Sequence, residues 1–238
     1  MSHLHAVMLT WWEMRREKPL QKEAAGLPTL KMENLWWFDS CWLYYRFTWG
    51  VEMDNLAKVL EDDEKFMDLL KIIQSFELKD CWLCAGTIRN YIWNVLSGKE
   101  GFSDAHFSDV DVIFFDKKLS YEQTLALEAR VKRLYPEYRW EIKNQYYMHI
   151  HSPNTERYTS SRDAVSKFTE KCTAIAVRLN SNHNLELYAP YGVEDLVNFK
   201  VTPTPYYASD AERSLVYNNR VKKKAWRKFW PQLVVELI

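Results

Sequence analysis

The chain has no surplus of charge: 32 basic residues face 32 acidic ones, so no global field points to nucleic acid or to an anionic membrane. Long apolar runs are missing as well. None approaches the ~18 residues of a membrane-spanning helix, so no membrane partner is expected. Glu13, Arg15, Arg16, Glu17 and Lys18 stand where a secretory leader would carry its apolar centre. Cysteine is scarce. Cys41, Cys81, Cys84 and Cys172 are too few and too scattered for a disulfide framework, which predicts reduced thiols and a cytoplasmic protein. No internal repeat and no low-complexity tract is present. What remains is an ordinary globular composition, 47% apolar and 27% charged, in a length that holds one generous domain or a domain with an appendage.

Tryptophan divides the chain. Six of the eleven lie at positions 11, 12, 36, 37, 42 and 49, in a stretch with no sustained helical or strand period. At Met53 the pattern changes: Leu56, Val59, Leu60, Phe66, Leu69, Leu70, Ile73 and Phe76 recur at helical spacing among acids and lysines. The expectation is that residues 1–52 form an extension outside the folded domain, with Met53 a candidate natural start. Residues 53–238 then form the domain.

Along that domain the elements alternate. Helix is predicted over 54–77, a short strand over 81–85, and a helix from Thr87 to about residue 96. A loop with two glycines follows, then a strand over 109–115. A helix runs from Ser120 until Pro136 stops it. A strand is predicted over 139–145, a helix from Ser161 to about residue 170, and a hairpin over 173–189 around the polar turn at Asn180. Pro203 and Pro205 mark extended chain, and 209–228 reads as a basic helix. Helices and strands in this order predict a mixed sheet with helices packed over it, an α+β fold with α/β-like character.

Two motifs carry chemistry. In Ala85-Gly86-Thr87-Ile88-Arg89 a strand ends, glycine permits a tight turn, and a helix begins at once. The first amides of such a helix lack intrahelical partners and favour an anion. The turn can therefore hold nucleotide phosphates, with the Thr87 hydroxyl as a donor and Arg89 forking onto phosphate oxygens. Alone, such a junction serves packing more often than ligands. The second motif is Asp109-Val110-Asp111-Val112, whose two carboxylates share one face of a strand while the valines enter the core. Like charges at that distance repel unless a cation lies between them, and oxygen-only ligands suit Mg2+ or Mn2+. An edge strand with a solvated face is the structural alternative for an isolated Asp-x-Asp. A two-metal phosphoryl-transfer site needs a further acid; Glu141 is preferred and Glu186 competes. Lys143 shares the Glu141 face and is a further phosphate candidate.

The segments 82–90 and 108–116 together resemble small bacterial nucleotidyltransferase-like proteins of the DNA polymerase β superfamily. The turn also resembles the head of CCA-adding enzymes, whose Gly-Gly-x-Val-Arg-Asp is matched by Ala85 to Asn90. Residues 140–145, 185–190 and 226–231 extend the likeness over 54–233. The resemblance implies a polymerase-β-type fold, metal at Asp109 and Asp111 with Glu141 as third acid, and phosphates seated at Gly86 and Thr87. It implies transfer of a nucleoside monophosphate from a nucleoside triphosphate to a hydroxyl of unknown kind, on a small molecule, an RNA or a protein. Two residues depart from the family pattern: Ala85 replaces the first glycine of the usual pair, and Thr87 the usual serine.

The alternatives are a nucleotide- or RNA-binding module with weak or no chemistry on the same fold, and a toxin-neutralising transferase that modifies a protein. Three crowded acids argue against a pure binder. Cys81 and Cys84 lack a second ligand pair for zinc, and His149 and His151 fit solvent-facing imidazoles. The run from Arg220 to Lys228 reads as a solvated basic face with Trp226 and Trp230 turned inward, nucleic-acid contact being the other reading.

Overall fold

The computed structural model describes residues 53–102 and 109–238. The expected extension over 1–52 lies outside the described residues. The first amphipathic stretch forms two helices rather than one, α1 (Met53–Glu61) and α2 (Glu64–Gln74). Asp63 makes the break: its Oδ1 caps α2 by accepting the Phe66 N–H at 2.9 Å. Its Oδ2 accepts the Tyr91 hydroxyl at 2.7 Å. The apolar stripe Leu56, Leu60, Phe66, Leu69, Leu70 and Ile73 is buried as its spacing requires.

Strand β1 (Trp82–Cys84) leads directly into α3 (Ala85–Leu96). Next come β2 (Val110–Phe114), α4 (Tyr121–Leu134) and β3 (Trp140–Asn144). A reciprocal capping box between Ser120 and Gln123 starts α4. After the single turn α5 (Gln145–Met148) comes α6 (Ser161–Ser166), then the hairpin of β4 (Ala176–Leu179) and β5 (Leu185–Tyr188). His149 and His151 sit on a short 3-10 turn, not a strand. The chain continues through α7 (Glu194–Val197), β6 (Lys200–Val201), α8 (Pro205–Ala208), α9 (Ala211–Lys224) and β7 (Val234–Val235). Pro205 opens a helix with Thr204 as its cap, where extended chain was expected.

The main sheet runs β3-β2-β1-β4-β5, and β2 and β3 form its parallel pair, bridged by α4. It is a mixed sheet in an α+β fold. Leu83, Val110, Val112, Phe114, Trp140, Ile142 and Val177 point to one face and join the helices in the main core. Trp82, Cys84, Ile113 and Ala176 point to the other, where Val165 and Ala174 cover them. Over β2 and β3 that second face also carries Asp111 and Glu141, registered opposite one another. The C-terminal segment is fastened near α3: Trp230 Nε1 donates to Asn94 Oδ1 at 3.2 Å, and the Trp230 ring lies edge-on to Trp93 at 5.1 Å.

Candidate active site

The turn differs from its expected form in one respect. The left-handed residue is Ala85, with φ 55°, and α3 begins there rather than at Thr87. Its N–H donates to the Ile175 carbonyl at 3.1 Å. An L-residue in that conformation costs about 1–2 kcal/mol, which gives a physical reason for a glycine at this place in the family pattern. Ala85→Gly is therefore expected to stabilise the protein by about 0.5–1 kcal/mol after the entropy of the unfolded chain is subtracted. Ala85→Val is expected to destabilise it, both measured by urea unfolding.

Gly86 and Thr87 are bonded to the acid strand. The Gly86 N–H donates to Asp111 Oδ2 at 3.0 Å. The Thr87 hydroxyl donates to the Asp109 carbonyl at 3.0 Å and accepts the Asp111 N–H at 2.8 Å. Thr87 is buried, so its hydroxyl clamps the acid segment to the turn. What Thr87 offers an anion is its main-chain N–H.

The acids lie together by register. In the parallel pair Asp111 stands opposite Glu141, so their side chains share one face. Asp109 lies just ahead of β2 rather than within it, half-exposed, 3.4 Å from the Arg139 Nε. Burial first, then repulsion from Glu141, pushes the Asp111 carboxyl up from 3.8 to about 6. Arg89 and the Gly86 N–H oppose this, and Asp109 adds to it. Among the described residues, no three His, Cys, Asp or Glu side chains already close around one point. The donor set is all oxygen and brings three carboxylates to one segment beside a helix N-terminus, which fits a hard divalent cation.

Glu186 is elsewhere. It lies on β5, three strands from β2, about 14 Å at ordinary strand spacing. Its carboxylate is bonded to Arg178 at 2.7 Å and to Arg162. Lys143, two residues on from Glu141 in β3, is already engaged: its Nζ meets Glu128 Oε2 on α4 at 3.0 Å, the same oxygen that accepts the Ile142 N–H at 2.9 Å.

Arg89, in the second turn of α3, is buried, with its guanidinium 4.4 Å from the Trp226 ring centre and 5.1 Å from that of Trp93. Two of its nitrogens donate to Asn90 Oδ1, and Nη1 reaches Thr173 Oγ1 at 3.4 Å. Burial lowers its pKa. Thr173 donates at 2.7 Å to Glu170, which is fully buried, and Arg220 Nε donates at 2.7 Å to the other Glu170 oxygen. Lys224, one helical turn past Arg220, is exposed; partial burial, then repulsion from Arg220 and Arg89, lowers its pKa, while Asp111 and Glu170 raise it. Arg220 and Lys224 were read from sequence as members of a solvated basic face. Lys224 is exposed as read, whereas Arg220, three residues after the buried Tyr217, is half-buried and paired with Glu170.

The Nucleotidyltransferase family matches residues 71–235, well over half the chain. The chain belongs to this family. As a nucleotidyltransferase it is similar to a structure described as "The NMR structure of the protein reveals a CCA-adding enzyme head domain". That likeness covers 79% of this chain and 97% of the other, with 46% identity and a TM-score of 0.73. The transferase fold thus matches the polymerase-β-type head domain expected from the turn and acid motifs. Two larger enzymes align more loosely. The Thermotoga maritima CCA-adding enzyme complexed with tRNA shares 15% identity over 83% of this chain and 42% of its own, TM-score 0.42. An apo CCA-adding enzyme shares 17% over 76% and 44%, TM-score 0.46. This nucleotidyltransferase spans less than half of each of those two chains. No curated protein matches it. Among the described residues, no helix is long and apolar enough to cross a membrane.

Proposed function

We propose that the protein moves a nucleoside monophosphate from a nucleoside triphosphate to an acceptor hydroxyl, releasing pyrophosphate, with a divalent cation held by Asp109, Asp111 and Glu141. The observation that carries this reading is the parallel register setting Asp111 opposite Glu141, one hydrogen bond from the Gly86 N–H. When bound, Mg2+ or Mn2+ supplies Lewis-acid charge that eases deprotonation of the hydroxyl and balances charge at the α-phosphorus. The protein's own groups do the rest. The Gly86 and Thr87 main chain at the start of α3 orients phosphate oxygens. The Thr87 clamp fixes the acids relative to that turn. Arg89 contributes positive charge from its place against the Trp226 and Trp93 rings. The likeness to a CCA-adding head domain supports the use of a nucleoside triphosphate. The acceptor is a hydroxyl on a small molecule, an RNA or a protein. Free thiols at Cys81, Cys84 and Cys172 support a reducing, cytoplasmic setting.

Labelled nucleoside triphosphates incubated with purified protein, Mg2+ and a cell extract test this. Transfer of label together with release of pyrophosphate is expected, and binding without either on any acceptor would leave a nucleotide-binding module instead. Glu141→Gln is expected to lower the transfer rate at least ~100-fold, whereas Glu186→Gln, three strands off, leaves it within about twofold. Equal losses in the two variants would remove Glu141 from the role.

A further inference from the structure

We infer that Thr173 and Glu170 are positioning residues for the turn at the start of α3. Through the Thr173 hydroxyl, the buried Glu170 carboxylate fixes Arg89 and that turn against the segment leading into β4. This rests on the transferase reading for what the turn holds. The start of α3 is fastened from two directions. On the acid side, Gly86 and Thr87 bond to Asp111 and Asp109. On the other side the contacts come from residues 170–175. The Ile175 carbonyl accepts the Ala85 N–H at 3.1 Å, and Thr173 Oγ1 accepts from Arg89 Nη1 at 3.4 Å. Ala85 comes just before Gly86 and Arg89 one helical turn after it, so the two contacts bracket the turn.

Thr173 decides where Arg89 lies. The other hydrogen bonds of Arg89 go to Asn90, the next residue of the same helix, and move with it. Thr173 is the hydrogen-bond partner that ties the guanidinium to another part of the chain. Its hydroxyl is itself aimed: the single proton goes to Glu170 Oε2 at 2.7 Å, which leaves lone pairs for Arg89. The second Glu170 oxygen takes the Arg220 Nε at 2.7 Å. That carboxylate has no exposed surface, and main-chain bonds lock its segment in place. The Lys171 N–H donates to the Thr202 carbonyl at 3.0 Å, and the Thr204 N–H to the Thr169 carbonyl at 3.1 Å. Burying a carboxylate is costly, and a buried ion pair adds little net stability over apolar side chains of the same size. A charge kept at the back of the turn, with both oxygens committed, is what holding a ligand-facing segment in one geometry requires.

Thr173→Val keeps the shape of the side chain and the Glu170–Arg220 pair but removes the hydroxyl between Glu170 and Arg89, whereas Thr173→Ser keeps it. Ser161→Ala controls for lost stability alone, since it gives up a buried hydroxyl bond to the Asp80 carbonyl at the other end of β1. Two measurements on the full chain decide: amide exchange at Ala85 and Gly86 without ligand, and calorimetric affinity for ATP, CTP, GTP and UTP with Mg2+. Thr173→Val is expected to speed that exchange and to weaken the tightest triphosphate, each ~10-fold. Thr173→Ser should restore both to within about threefold, and Ser161→Ala should leave both within about twofold at a matched margin below its melting temperature. Wild-type exchange in Thr173→Val, unchanged affinity despite faster exchange, failure of serine to restore, or equal losses in Ser161→Ala would each overturn the assignment. Faster exchange that depends on the Thr173 hydroxyl, in a protein whose wild type binds no triphosphate, would uphold this support of the turn and sink the transferase reading.

Discussion

Asp111→Asn is expected to abolish nucleotidyl transfer, by at least ~1000-fold, and at the same time to stabilise the metal-free protein. The second effect follows from the first cause. A carboxyl raised from 3.8 to about 6 by burial and by its acidic neighbours binds its proton more tightly folded than unfolded. Its penalty is therefore absent below the unfolded value, grows as pH rises, and is complete above about 6. About two units correspond to roughly 3 kcal/mol at pH 7, falling to about half of that by pH 5. Asparagine keeps an acceptor for the Gly86 N–H and carries no charge. Urea unfolding at both pH values measures the gain. Mg2+ is expected to raise the wild-type melting temperature and to leave that of the variant unchanged. A variant that retained a tenth of the wild-type rate would remove Asp111 from the chemistry.

Thr87→Val is expected to cost about 2–4 kcal/mol and to lower turnover about 100-fold or more, while Thr87→Ser costs less than about 1 kcal/mol and remains active. Valine fills the same volume but leaves the Asp111 N–H and the Asp109 carbonyl without the hydroxyl that joins them. Serine keeps both bonds, in line with the serine usual in the family pattern. Urea midpoints and initial rates on the pair separate the effects. If serine failed as badly as valine, the methyl packing rather than the clamp would be at work.

The elements that could be read from sequence are those long enough to show a period. The stripes of α2 and the acid strand with its inward valines are at or near their expected places, and so is the hairpin. Boundaries moved where a single polar side chain decides them. Asp63 splits the first helical stretch, and Ser160 starts α6. The turns α5, α7 and α8 and the two-residue strands β6 and β7 are too short to carry a pattern. The site divides in the same way. Asp109 and Asp111 are two residues apart, so spacing alone led to the expectation of one shared face, although Asp109 lies just ahead of β2. Glu141 and Glu186 looked alike because strand order is a tertiary property. Only the adjacency of β2 and β3 separates them. Arg220 was hidden in a basic run, since only its pairing with the buried Glu170 sets it apart from its neighbours.

Among the described residues, the strand that bears Glu141 is also the rim of the sheet. Glu128 reaches over from α4 and takes the Ile142 N–H, holding Lys143 and Lys132 close by. A second chain seeking to lengthen the sheet there would meet an occupied donor and a pair of amines, the kind of obstruction that discourages edge-to-edge aggregation.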